Sequence, residues 1–167
     1  MNKVNLNEIK EDPWQSPKGK FAVTFKGISE ALSRGRTRES GHRVSTGERW
    51  PFDLEWNRMP PGKPNFPFHA HSAQWEMYLI VSGKGKVRHK DGTTDVVEGD
   101  AFIFGPDEPH QIQNSGDVDL IYYVIADNPI GESNYYPDSG KWKVNKTSPK
   151  DRVVIKGNET DYFDGEE

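Results

Sequence analysis

Between residues 52 and 125 the chain is cut into runs of four to eight apolar or alternating residues, each closed by a turn signal. No run has the length or the 3.6-residue spacing of an amphipathic helix. Strands are expected over 52–59, 66–71, 75–81, 85–90, 93–97, 101–104, 110–114 and 120–125. The breaks between them are Pro60-Pro61-Gly62, Ser82-Gly83, Asp91-Gly92, Glu98-Gly99-Asp100, Gly105-Pro106 and Ser115-Gly116-Asp117. Asp91-Gly92 predicts a tight hairpin with both central residues at positive φ. Many short strands at this spacing predict an all-β sandwich or barrel.

Only 32% of the residues are hydrophobic, and they concentrate in this middle part. The expected division is an N-terminal extension over 1–49 packed on the barrel, a barrel over 50–130, and a C-terminal extension over 131–167. Within the extensions, 20–26 and 152–156 alternate as strands do, 28–32 suits a helical turn, and 33–48 reads as loop. Tyr135, Tyr136 and Trp142 stand in a polar tail, which predicts that the tail lies along the barrel. Trp50, Trp56, Phe66, Trp75, Phe102 and Phe104 are expected in the core or at an interface between copies.

A net charge of -4 argues against a general nucleic-acid binder, which needs a basic surface to displace counterions. The cluster Arg34, Arg36, Arg38, Arg43 and Arg49 is a local exception. A solvated stretch is its simpler reading, and a patch for phosphate or an acidic partner the sharper one. The chain has no cysteine, which removes disulfides, thiolate metal sites and Cys nucleophiles. Its first residues lack the apolar core of a signal peptide, and no apolar run nears the roughly 20 residues that span a bilayer. Neither a phosphate-cradling loop nor a nucleophile elbow is present. A cytoplasmic protein with no membrane or nucleic-acid partner is expected.

The residues that carry chemistry are histidines. His69 and His71 form an H-x-H pair, and side chains two apart on a strand share a face. Glu76 follows after four residues that can turn the chain, and His110 arrives on a later strand. Three imidazoles and a carboxylate suit one divalent metal ion: Mn, Fe, Co, Ni or Zn. Tyr78 lies on the same face as Glu76. It is placed to offer a phenol to a substrate, to bond a ligand, or to fill the barrel. Ile80, and Ile112 and Asn114 beyond His110, follow the same alternation inward, with Gln111 and Gln113 outside and Asn114 pinning the next loop. Arg58 and Lys63, near the first histidines, are surface charges or anion contacts. His89 is expected to be exposed, and His42, in loop, is a poor ligand.

The stretch GKPNFPFHAHSAQWEMYLIVSG, from Gly62 to Gly83, resembles the first motif of the cupin superfamily, G-x(5)-H-x-H-x(3,4)-E-x(6)-G. One extra residue precedes His69, and the later spacings agree. The stretch GDAFIFGPDEPHQIQN, from Gly99 to Asn114, resembles the second motif, G-x(5)-P-x-G-x(2)-H-x(3)-N. Here Pro106 sits one place late, Glu108 is read as replacing the motif's glycine, and His110 keeps its distance from Gly99. The resemblance implies a cupin-type antiparallel double-stranded β-helix (jelly-roll) barrel with His69, His71, Glu76 and His110 as metal ligands. The phrases NYYPDSGKW and DYFDGEE are similar to those of single-barrel cupins labelled sugar-phosphate (mannose-6-phosphate-type) isomerases.

Two classes of function follow. One is a metal-dependent enzyme on a small oxygenated molecule such as a sugar or sugar phosphate, possessing isomerase-like chemistry with Glu76 and Tyr78 as catalytic residues, or acting as an Fe/Mn dioxygenase. The other is a binding module for a metal or small ligand without turnover. Lys and Arg near the barrel mouth favour an anionic ligand. Cupins commonly pair through an edge sheet, so a homodimer is expected.

Overall fold

The computed structural model describes residues 1–32, 51–145 and 152–165. The expected loop at 33–48, the arginine cluster, His42 and Trp50 lie outside them. Thirteen strands are present among the described residues, and every pairing between them is antiparallel. They are β1 (Asp12–Gln15), β2 (Ala22–Gly27), β3 (Phe52–Met59), β4 (Ala70–His71), β5 (Glu76–Ser82), β6 (Lys84–His89) and β7 (Gly92–Val97). After these come β8 (Ala101–Phe104), β9 (His110–Asn114), β10 (Leu120–Asp127), β11 (Asn134–Tyr136), β12 (Lys141–Asn145) and β13 (Arg152–Ile155). One short helix, α1 (Ile28–Leu32), follows β2 at the expected place.

Three sheets form: β1-β2-β3-β10-β5-β8, β7-β6-β9 and β13-β12-β11-β4. The large sheet and the three-stranded sheet share one core. Tyr78 and Ile80 from β5 and Leu120 and Tyr122 from β10 meet Val87 from β6 and Ile112 from β9, all within 4% exposure. The alternation read from the sequence holds on both site-bearing strands. On β5, Tyr78 and Ile80 are buried while Met77, Leu79 and Val81 are exposed. On β9, His110, Ile112 and Asn114 are buried. Asn114 is fully covered: its amide donates to the carbonyls of Met59 and Val118, both at 2.8 Å, and its oxygen accepts from the Gly116 N–H at 2.8 Å. That one side chain closes the loop between β9 and β10.

Two local expectations need correction. The strand expected at 66–71 contracts to β4, preceded by isolated bridges Pro64↔Gln113 and His69↔His110. Pro67, between the two bridges, has no N–H to give to a ladder, so pairing is interrupted there. The hairpin turn lies one residue earlier than expected: His89 pairs with Gly92 across Lys90 and Asp91. Only Gly92 takes a positive φ, at 137°, so the turn is not made of two such residues. The extensions join the sheets directly. β2 pairs with β3, and Trp14 and Phe25 bracket Phe66 with ring centroids 5.3 and 5.9 Å away. In the tail, β11 pairs with β4, and Tyr135 packs on Trp142 at 4.6 Å.

The glycines that frame the first motif differ in what they tolerate. Both take positive φ, 73° at Gly62 and 86° at Gly83. A Cβ on Gly62 would meet nothing within 4 Å, whereas one on Gly83 would stand 2.7 Å from the Asp119 carbonyl oxygen. Gly62→Ala is expected to cost about 1–2 kcal/mol, the backbone term alone. Gly83→Ala adds a backbone clash, and the expected loss exceeds about 3 kcal/mol. Urea unfolding of the two variants checks this order.

Candidate metal centre

Three parts of the chain deliver the site. β5 brings Glu76 and β9 brings His110, each by inward alternation. The segment before β4 brings His69, and β4 itself brings His71. His69 exchanges two backbone hydrogen bonds with His110, at 3.2 and 2.8 Å, and one step later the chain leaves β9 and pairs with β11. The two histidines stay on one face across that change of partner. His69, His71, Glu76 and His110 each offer one ligand atom within 4.8 Å of the others. All four residues expected as ligands are therefore brought together.

The direction of each imidazole is set by its Nδ1. In His69 it lies 2.8 Å from the Pro67 carbonyl oxygen, and in His110 it lies 3.0 Å from that of Glu108. In His71 it lies 2.9 Å from a Glu132 carboxylate oxygen. Each of these partners accepts only, so each Nδ1 carries the proton and donates. Every Nε2 is left with a lone pair, and those of His71 and His110 face Glu76. The Nε2 of His110 lies 3.0 Å from Glu76 Oε2, and that of His71 lies 3.6 Å from Oε1. Nε2 of His71 is buried with no hydrogen-bond partner among the described residues. Acceptors aimed at acceptors in a covered site call for a cation between them. A divalent metal fits this donor set, and the four residues could hold one.

Burial pushes the Glu76 carboxyl up, but where the imidazoles carry a second proton, the His110 hydrogen bond and the charges of His71, His110 and His69 pull it below the usual carboxylate range. Burial lowers His69 to about 3, with His110 and His71 adding to the effect. The centre thus favours an ionised carboxylate beside a neutral His69, as ligation requires. Tyr78 is 4% exposed and donates its phenol proton to Glu76 Oε2, with its oxygen 3.3 Å from His110 Nε2. Burial, and then the Glu76 charge, raise this phenol well above its ordinary value. Both effects favour the protonated phenol, which donates to Glu76. Phe104 stacks on His110 at 4.4 Å and Phe102 on Tyr78 at 5.2 Å, which fixes both rings from the β8 side.

The second motif also needs a correction. The glycine position of the pattern falls on Asp107, not on Glu108. Asp107 has φ 63°, and among the described residues it is the one non-glycine at positive φ. Aspartate tolerates this region better than most side chains. Its N–H donates to the His71 carbonyl at 2.7 Å, which ties the two motifs together. Glu108 instead caps the bend, its carboxylate accepting from the Gly105 N–H at 2.7 Å.

Other candidates have separate tasks. Arg58 is paired with Glu11 at 2.5 Å and Asp119 at 3.2 Å, and Lys63 donates to the Gly19 carbonyl at 2.6 Å. His89 is half-buried and bonds Thr94 at 3.0 Å. Trp75 is half exposed, its ring lying against Gly105. Sequence reasoning missed Glu132 and Asn134, both buried around His71, and Tyr136, whose ring lies 6.0 Å from that of His69. For Glu132 and Asn134 no local pattern was available. For Tyr136 the aromatic run Tyr135-Tyr136 was visible, but its place beside the site was not.

Residues 56–126 match the family described as Cupin domain. An oxalate-binding protein of Thermotoga maritima is 28% identical over 68 residues, which is 41% of this chain and 55% of that protein. The chain thus spans about half the length of that relative. A sugar phosphate isomerase of the cupin superfamily from Silicibacter pomeroyi superposes with a TM-score of 0.71 at 19% identity, covering 92% of both chains. A candidate sugar phosphate isomerase from Acidithiobacillus ferrooxidans gives 0.72 at 18% identity, covering 89% of this chain and 86% of that one. At these identities the two structures speak for the fold. Motif, profile and superposition agree: residues 56–126 are a cupin domain, set in a chain of cupin fold.

Proposed function

We propose that this protein is a metal-dependent enzyme that isomerises a small oxygenated molecule of the sugar or sugar phosphate kind. The observation that carries the reading is the uneven cover of the ligands. His71 and His110 are 7% and 1% exposed, whereas His69 and Glu76 are only partly covered. An ion held by all four would keep coordination positions free on that side, as catalytic sites do. Such an ion would polarise a carbonyl and its neighbouring hydroxyl.

The remaining roles fall to side chains. Glu76 Oε2 accepts from Tyr78, which leaves Oε1 as the less engaged oxygen. We assign to that carboxylate the removal of a proton from the carbon beside the carbonyl and its return to the former carbonyl carbon, while the hydroxyl proton passes from the neighbouring oxygen to the former carbonyl oxygen. Tyr78 positions the carboxylate by donating to it. On the flank by His69, Lys141 lies 5.8 Å from the Tyr136 ring, and the charge of Arg152 acts on the same phenol. These cations support an anionic substrate. The kinship of the two superposed proteins with sugar phosphate chemistry points the same way.

A second reading has its own support in the oxalate-binding relative: a cupin that takes up a small dicarboxylate without turnover. The two separate in one experiment. The metal content of the parent and of His71→Ala is measured first, with about one ion per chain expected in the parent and far less in the variant. The loaded parent is then incubated with aldose and ketose phosphates in D2O. Deuterium entering the carbon next to the carbonyl supports the isomerase. Oxalate binding by calorimetry with no exchange into any sugar phosphate overturns it in favour of the binder. Tyr78→Phe is expected to keep its metal and to lower kcat about 10- to 100-fold, the usual range for a lost partner of a ligand.

We also propose that the protein pairs with a second copy through the outer face of the large sheet. Met77, Leu79 and Val81 on β5 and Ile103 on β8 are 39–54% exposed there, with Met77 directly opposite Ile103. Water-exposed apolar rows of this kind mark interaction surfaces. Sedimentation is expected to give a dimer for the parent and a monomer for Leu79→Arg.

A further inference from the structure

The loop between His71 and Glu76 makes no turn of its own. Its four backbone N–H groups all go to a distant segment that lies beyond residue 126. Ser72 donates to the Ser133 carbonyl at 2.9 Å, Ala73 and Gln74 to Glu132 Oε2 at 3.1 and 2.9 Å, and Trp75 to Asp127 Oδ1 at 2.8 Å. The Gln74 side chain donates to the Asp127 carbonyl at 2.5 Å, and the Ser133 N–H returns a bond to Ser72 Oγ at 2.9 Å. Glu132 does more than hold the loop. It is 8% exposed, and its other oxygen accepts a hydrogen bond from His71 Nδ1–H at 2.9 Å. Asn134 Nδ2 lies 3.0 Å from the same nitrogen, so two groups compete for it. A carboxylate demands a proton on Nδ1, while an amide N–H demands a lone pair. The charge-assisted bond is the stronger, and a half-turn of the Asn134 amide presents its oxygen and removes the conflict.

We propose that Glu132 is a positioning residue of the metal centre: its single carboxylate selects the His71 tautomer that points a lone pair inward and holds the 72–75 loop at the span that lets His71 and Glu76 meet. Partners of this type orient metal-binding imidazoles and raise their basicity. The inference rests on the metal reading for its purpose, but its geometry is independent of which ion binds and of which reaction follows.

Glu132→Gln in the full chain tests it. The backbone donors of Ala73 and Gln74 cannot change, so the amide oxygen must stay with them. The NH2 group then faces His71 Nδ1, which has to accept. The proton moves to Nε2 and points into the centre. Ring 15N spectra of the metal-free protein are expected to show Nδ1–H at His71 in the parent and Nε2–H in the variant. Calorimetric titration with Co(II) alone is expected to show affinity about 10- to 100-fold lower in the variant. A purely structural role would lower the unfolding temperature and leave both the tautomer and the affinity of the folded protein unchanged, and that result overturns the proposal. Should the variant not fold, the parent spectrum decides by itself, because Nε2–H at His71 in the parent is incompatible with the assignment. No cobalt uptake by the parent overturns the metal centre as a whole. Uptake by the parent with an equal dissociation constant in the variant overturns only the role of Glu132.

Discussion

Three imidazole lone pairs and a carboxylate are aimed at one point inside the barrel, and no protein donor is available to satisfy them all. Acceptor facing acceptor is unfavourable when water is excluded, since neither group can turn to a solvent partner. Tyr78 supplies one proton, to Glu76, and burial with that neighbouring charge keeps it in place. Nothing among the described residues answers the Nε2 of His71. The residual demand is for positive charge, and this sets the constraint on everything nearby. The Nδ1 atoms must be anchored outward, the rings must be held from rotating, and Glu76 must stay ionised despite its burial.

The barrel meets these needs mostly with backbone. Carbonyls of Pro67 and Glu108 anchor two imidazoles, each from two residues upstream of its histidine. A sharply bent approach makes that reach possible, and it explains why prolines and the left-handed Asp107 cluster in these two segments. His71 has no such local carbonyl and needs a side chain from elsewhere. The β8 aromatics press on His110 and Tyr78 from the side, so orientation comes from packing as well as from hydrogen bonds.

The sequence was most legible where one short-range rule decides the outcome. Strand alternation placed Glu76, Tyr78 and Ile80 on one face and His110, Ile112 and Asn114 on another, and spacing brought the four ligands together. It was less legible where two rules compete. Asp91-Gly92 has the composition of a two-residue turn, yet His89 pairs with Gly92 and the turn shifts onto Lys90 and Asp91. The 66–71 run looks like a strand by apolar content, yet Pro67 and the change of partner from β9 to β11 reduce it to a two-residue strand and one isolated bridge. Glu108 looks like the replaced glycine, but the strained position is Asp107. The sequence was silent about Glu132, because nothing local distinguishes that carboxylate from the other acidic residues. Its role exists only once a partner about sixty positions earlier is folded against it.

That distance has a consequence for the order of events in synthesis. The four ligands lie between residues 69 and 110, and all leave the ribosome before the acid that aims His71. A nascent chain ending near residue 126 carries both motifs and every ligand, but the loop between His71 and Glu76 would lack its acceptors at Asp127, Glu132 and Ser133. The centre is completed from its C-terminal side. An early-emerging barrel would therefore present its donors without the bonds that hold the 72–75 loop, and the segment from Asp127 to Ser133 supplies them.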